Sequence, residues 1–188
     1  MMKIQFSLQN RNDMGRFFNW LGLTGEGAEI GVFRGDFSLE ILRHWKGRML
    51  HLVDAWSNTL EDYADPMNDI DMEQAYQCML ERIEPYRNRV TIHRQLSNVA
   101  VTQFSDNSLD FVYIDADHCY DRVKEDIALW IEKVRSGGVL CGHDFFTSDN
   151  PQHLVGVERA VKEFCEERKV EELLLTPCSY PSWFIRKI

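Results

Sequence analysis

Residues 109–130, LDFVYIDADHCYDRVKEDIALW, carry the clearest structural instruction in the chain. A near-continuous apolar run, Leu109–Ile114, is followed by a cluster of acids and a histidine, and then by helical spacing. Val123, Ile127, Trp130, Ile131 and Val134 share one helical face, whereas Lys124, Glu125, Glu132 and Lys133 fall elsewhere. A strand that is apolar nearly throughout suits a parallel sheet covered on both faces, and a strand running into a helix is one βα unit of such a sheet. Further apolar runs of strand length lie at Ala28–Val32, Met49–Val53, Val90–His93 and Val139–Cys141. A helix is expected over Phe37–Trp45, and another where Val157, Ala160, Val161, Phe164 and Cys165 repeat the helical pattern. Near the C-terminus, Glu172–Leu175 and Trp183–Ile185 are joined by a short loop holding Pro177 and Pro181. So short a link permits only an antiparallel pair. The expected fold is therefore α/β: a doubly wound, mainly parallel, seven-stranded sheet closed by an antiparallel C-terminal hairpin.

The whole chain, 188 residues with 44% hydrophobic, 12% aromatic and 27% charged side chains, suits a single domain over residues 1–188. Residues 1–25 read as a helical lead-in. A net charge of −9 argues against a protein that holds nucleic acid through its phosphates. No stretch is apolar over the length of a membrane span. MMKIQFSLQNRND turns polar too early for a secretory signal, and five cysteines without a CxxC pair read as reduced thiols, so a cytoplasmic location is expected. Between Met49 and Glu81 there is no Lys or Arg but eight acids. Part of that stretch, within residues 55–73, reads either as a solvated loop or as a lid over a site.

In an open α/β sheet the ligand lies beyond the carboxyl ends of the strands. The polar residues there are Glu29, Gly31 and Gly35 after the first strand, Asp54 and Ala55 after the second, and Gln95 and Ser97 after the third. Asp115, Asp117 and His118 follow the fourth, and His143 and Asp144 the fifth. A pyrophosphate cradle would use GxGxxG, but Phe33 stands where the second glycine belongs and Glu29 would repel the phosphates. A cationic nucleoside would instead gain from Glu29. Asp54 lies at about the spacing from Gly31 at which an acid accepts bonds from ribose hydroxyls. Asp115 and Asp144 should end neighbouring strands, where their oxygens could converge on Mg²⁺ or Mn²⁺, with His143 or Asp117 as a candidate third ligand.

AEIGVFRGDFS (residues 28–38), LVDAW (52–56), the 109–130 stretch and KVRSGGVLCGHDFF (133–146) together resemble a class I S-adenosylmethionine-dependent methyltransferase. More narrowly, they resemble the branch of the macrocin and mycinamicin sugar O-methyltransferases. The resemblance implies that Glu29, Gly31, Phe33 and Gly35 line the methionine end of S-adenosylmethionine and that Asp54 and Ala55 meet the ribose. Gln95 and Ser97 would border the adenine. It also implies that Asp115 and the residues after the fifth strand hold a metal; where the branch has two acids, this chain has His143–Asp144. His118 would take the proton from an acceptor hydroxyl, a task suited to a group that titrates near neutrality. The implied partner is a small-molecule hydroxyl, with self-association left open. Two other classes fit the same pocket: a non-catalytic S-adenosylmethionine-binding protein and an NAD-dependent oxidoreductase.

Overall fold

The computed structural model describes residues 7–57, 71–150 and 153–188. A lead-in helix, α1 (Met14–Trp20), precedes β1 (Glu26–Ile30), α2 (Asp36–His44), β2 (Met49–Asp54), α3 (Met72–Ile83) and β3 (Val90–Arg94). One helical turn, α4 (Ser97–Ala100), leads to β4 (Leu109–Ile114), α5 (Tyr120–Trp130) and β5 (Val134–Gly142). A small hairpin, β6 (Ser148–Asn150) and β7 (His153–Val155), comes before α6 (Val157–Arg168). Strands β8 (Leu173–Leu175) and β9 (Trp183–Arg186) end the order.

Seven strands form one sheet in the order β3-β2-β1-β4-β5-β9-β8, with β6 and β7 paired apart from it. The first five are parallel to one another, while β9 runs antiparallel to both β5 and β8. This is the expected doubly wound sheet with its closing hairpin. Strand β4 explains why: all six of its residues are buried, with Phe111 and Tyr113 facing one core and Leu109, Val112 and Ile114 the other. The first core packs Phe18, Ile41 and Met79 from α1, α2 and α3 with Trp45 just after α2, and the second packs Val123, Ile127, Trp130 and Val161 from α5 and α6.

The chain reverses its winding between β1 and β4, which pair from Gly27↔Phe111 to Ile30↔Ile114. A crevice must open there, beyond Ile30 and Ile114. Two strands, β1 and β5, depart from the sequence expectation by more than one residue. Strand β1 stops at Ile30 because Gly31, at φ +85, turns the chain away; Val32 belongs to the turn. Strand β5 starts at Val134, earlier than its apolar run, because the pairing with β4 shifts register between Leu109 and Phe111. Of the candidate lid, residues 58–70 lie outside the described residues, and Met72 and Glu73 already belong to α3. Asp71 caps that helix by accepting the Gln74 N–H at 3.0 Å. Among the described residues no helix is long and apolar enough to cross a membrane.

Candidate active site

The turn after β1 is built around Gly31 and Asp54. A Cβ on Gly31 would lie 2.2 Å from the Asp115 carbonyl oxygen, so only glycine lets β1 and β4 end this close together. Phe33 also has positive φ (+52), the backbone a glycine would adopt, at the position where the glycine pattern departs. Its conformation is held from both sides. Phe33 N–H donates to Asp54 Oδ2 at 2.9 Å, and its carbonyl accepts the Trp56 indole N–H at 2.7 Å. Asp54 Oδ2 also accepts from Val32 N–H at 2.9 Å, and Oδ1 accepts from Trp56 N–H at 2.8 Å. The Asp54 carboxylate thus fastens the turn with three amides and retains spare acceptor capacity.

Glu29 is almost wholly buried, with the Ser38 hydroxyl donating to its Oε2 at 2.6 Å. Burial pushes its carboxyl up to about 8; the Ser38 bond and the Arg11 charge oppose this only in part. A carboxyl whose pKa is raised by folding favours the fold at low pH, and that support is withdrawn as pH climbs from the ordinary 4.5 to about 8. Glu29→Gln, fixed in the neutral state, is therefore expected to lose less stability than the wild type between about pH 5 and pH 9. The difference should reach a few kcal/mol, since each pH unit between the ordinary and the raised pKa corresponds to about 1.4 kcal/mol. Thermal melts at both ends check this, and identical losses in the two proteins would absolve Glu29.

Across the crevice, the ends of β4 and β5 bring three sequence-predicted residues together. Ligand-capable atoms of Asp115, His118 and Asp144 all lie within 4.8 Å of one another. His118 Nε2 stands 3.1 Å from Asp144 Oδ2 and 3.8 Å from Asp115 Oδ1, without the alignment of a hydrogen bond to either. His143 joins less closely: its Nδ1 is 3.1 Å from Asp144 Oδ1 and 3.9 Å from Asp115 Oδ1. Asp117 is engaged in the turn before α5, where Oδ1 accepts Cys119 N–H at 2.7 Å. Burial alone would drive the proton off His118, but the two carboxylates reverse that and raise it to about 10. Asp144, which burial would raise, is held well below the usual carboxylate range by the imidazoles of His118 and His143. Its backbone is strained at φ +53, and the Gly156 N–H anchors the His118 carbonyl at 2.8 Å.

Arg11 is invisible as a site residue from the sequence. The guanidinium pairs with Asp115 Oδ2 at 2.8 Å and lies 4.2 Å over the Phe37 ring. No local pattern announces a contact between residues so far apart in the chain. Asp126 could have been found, because it is an acid set between the apolar positions Val123 and Ile127 of α5. One cavity of about 980 Å³ runs from the β1 turn to the end of β4, lined by Glu29, Gly31, Phe33, Asp54, Ala55, Gln95, Ser97, Asp115 and His118 among others. Gly35 stands behind it as the N-cap of α2, and His143 and Asp144 approach through Asp115 and His118.

Residues 28–145 match the family described as a methyltransferase domain, and the chain belongs to that family. It is thus a methyltransferase by class. The fold is shared with an O-methyltransferase from Bacillus cereus solved with S-adenosylhomocysteine, at TM-score 0.65 and 18% identity over 94% of this chain and 80% of that one. It is shared as well with TomG, the O-methyltransferase of tomaymycin synthesis from Streptomyces achromogenes, solved with S-adenosylmethionine. There the TM-score is 0.66 and the identity 13%, over 95% of this chain and 79% of that one. At such identities the likeness is one of fold. Among curated proteins none matches the chain.

Proposed function

We propose that this single-domain protein transfers the methyl group of S-adenosylmethionine to a hydroxyl of a small molecule, a sugar or another natural product, as in the macrocin and mycinamicin branch. One observation carries the reading: a single cavity at the switch point joins the Glu29–Gly31–Asp54 turn to the Asp115–His118–Asp144 cluster. A methyl transfer needs those two halves, one to hold the donor and one to prepare the acceptor. The turn offers a sulfonium the Glu29 carboxyl, whose charged form a cation would favour, and a tight backbone with no phosphate cradle, and Asp54 keeps acceptor capacity for a ribose hydroxyl. NAD does not find the second glycine of a pyrophosphate cradle, because Phe33 stands there.

In the transfer the acceptor oxygen attacks the methyl carbon, and the carbon–sulfur bond breaks with its electron pair going to sulfur. The hydroxyl proton goes to His118 Nε2 once the ring has given up the proton that Asp115 and Asp144 hold on it. The donor set of the cluster suits a divalent cation, and His118 Nε2 has no hydrogen-bond partner among the described residues. Asp115 and Asp144 would hold such an ion, with His143 beside them. When bound it supplies positive charge at the two carboxylates, which loosens their grip on the His118 proton and leaves that ring free to act as a base. A chain of net charge −9 suits a small acceptor better than a nucleic acid.

Calorimetric titration with S-adenosylhomocysteine beside NAD tests the donor. Micromolar binding of the first alone is expected; tight NAD binding would overturn the proposal. Methyl transfer to a panel of sugar and phenolic hydroxyls, with and without a chelator, tests the rest. Turnover that falls on chelation and returns with Mg²⁺ or Mn²⁺ is expected. Cofactor binding with no transfer to any hydroxyl would leave a binding protein.

A further inference from the structure

Ser97 stands where the nucleoside is expected, yet its hydroxyl is occupied inside the protein. Oγ accepts the Trp130 indole N–H at 2.7 Å and donates its own proton to Asp126 Oδ1. The indole can only donate, so the single hydroxyl proton must point at Asp126. Asp126 is only 6% exposed, on the face of α5 that also buries Val123, Ile127 and Trp130, and it nevertheless lines the cavity beside Leu96, Ser97 and Asn98. Oδ2 has no partner among the described residues. Burial pushes this carboxyl up to about 7; the Ser97 bond and Arg122 oppose the rise, while Glu125 and Asp117 add to it. With Oδ1 tethered by Ser97, Oδ2 is the oxygen left to accept from a ligand in the cavity.

The strand ends say which part of the ligand that is. Outward from the switch point come the Gly31 turn of β1, then Asp54 of β2, then Gln95 and Leu96 after β3. A donor with its methionine at the first and its ribose at the second carries its base to the third. Leu96, 42% exposed, offers apolar surface there. We infer that Asp126 reads the amino edge of the adenine, accepting an exocyclic N–H through Oδ2, and so sets the specificity for the base. This rests on the proposal that the cavity takes S-adenosylmethionine.

The test is calorimetric titration near pH 8 with S-adenosylhomocysteine and with S-inosylhomocysteine, in which a carbonyl replaces the amino group. The wild type is expected to favour the adenosyl form by about 10- to 100-fold, because the inosyl carbonyl sets acceptor against acceptor. In Asp126→Asn the Ser97 proton keeps the amide oxygen at the Oδ1 position, so an NH₂ replaces Oδ2 and the preference should invert. Asp126→Ala should bind the two within about threefold, consistent with loss of the reading group. Should Asp126→Ala fail to fold, the near-isosteric Asp126→Asn decides alone. Equal binding by the wild type, or a wild-type preference carried unchanged into Asp126→Asn, overturns the inference and leaves the donor assignment standing. A wild type that binds neither ligand overturns the donor assignment, and the inference with it.

Discussion

Asp54→Ala is expected to lose cofactor binding by about 10²-fold or more and, in the same variant, to melt about 5–12 °C lower. Both effects have one source. The carboxylate accepts the amides of Val32, Phe33 and Trp56. Two of those residues, Phe33 and Trp56, are held at positive φ, which side chains with a Cβ adopt only under constraint. Hydrogen bonds to a charged acceptor contribute about 1.5–3 kcal/mol each, and three in one turn act as a unit, so a total near 2–4 kcal/mol is reasonable. Asp54→Asn separates the two consequences. Its single carbonyl can still serve Val32 and Phe33 while its NH₂ faces the Trp56 amide. Stability should therefore fall by less than in Asp54→Ala, while affinity, which needs the remaining lone pair, still drops. Calorimetry with S-adenosylhomocysteine and thermal melts read the two separately. A variant that melts and binds as the wild type does would show that the turn holds itself.

The sheet is readable in the sequence because β4 is apolar at five of its six positions and buried at all six, and because the C-terminal strands have no room to run parallel. Helix α3 is hidden by its setting. Ala75, Met79 and Ile83 give it a clean buried stripe, but its first turn follows a run of acids, and the loop expected within residues 55–73 takes in Met72 and Glu73. The site is legible wherever chemistry sits at a strand end, since topology alone brings Asp54, Asp115 and Asp144 to one side of the sheet. What topology does not fix is the use of each side chain. Ser97 is expected from its position to face the nucleoside, but Trp130 and Asp126 occupy its hydroxyl, and the free acceptor is one helix away. His118, not His143, completes the compact group with the two acids. The deciding factor is local backbone geometry: Asp144 turns at positive φ, and Gly156 pins the His118 loop. Neither is written in a spacing of residues. Arg11 illustrates the same limit, since its partner Asp115 is reached only through the fold.

His118→Ala should lower turnover about 10²–10⁴-fold while leaving the affinity for S-adenosylhomocysteine within about threefold. The asymmetry follows from position. Nε2 faces the carboxylates of Asp115 and Asp144 across the crevice from the Glu29–Asp54 turn, so the ring prepares the acceptor and contributes little to holding the donor. The sulfonium methyl is already activated, so the barrier that remains is alignment plus loss of a proton from a weak nucleophile, and only the second falls to His118. The two carboxylates hold the proton on the ring up to about pH 10, so the ring serves as a base only when their charge is offset, as a cation between them would do. Removing the ring leaves them facing one another, and a variant could lose activity simply because that repulsion disturbs the loop. Imidazole added to His118→Ala separates the two causes: a missing base is replaced from solution and turnover recovers in part, whereas a disordered loop gains nothing. Single-turnover transfer measured with saturating donor removes any residual effect on binding. Turnover equal to that of the wild type would take the proton-accepting role from His118 and leave Asp115 and Asp144 to activate the hydroxyl through a bound cation.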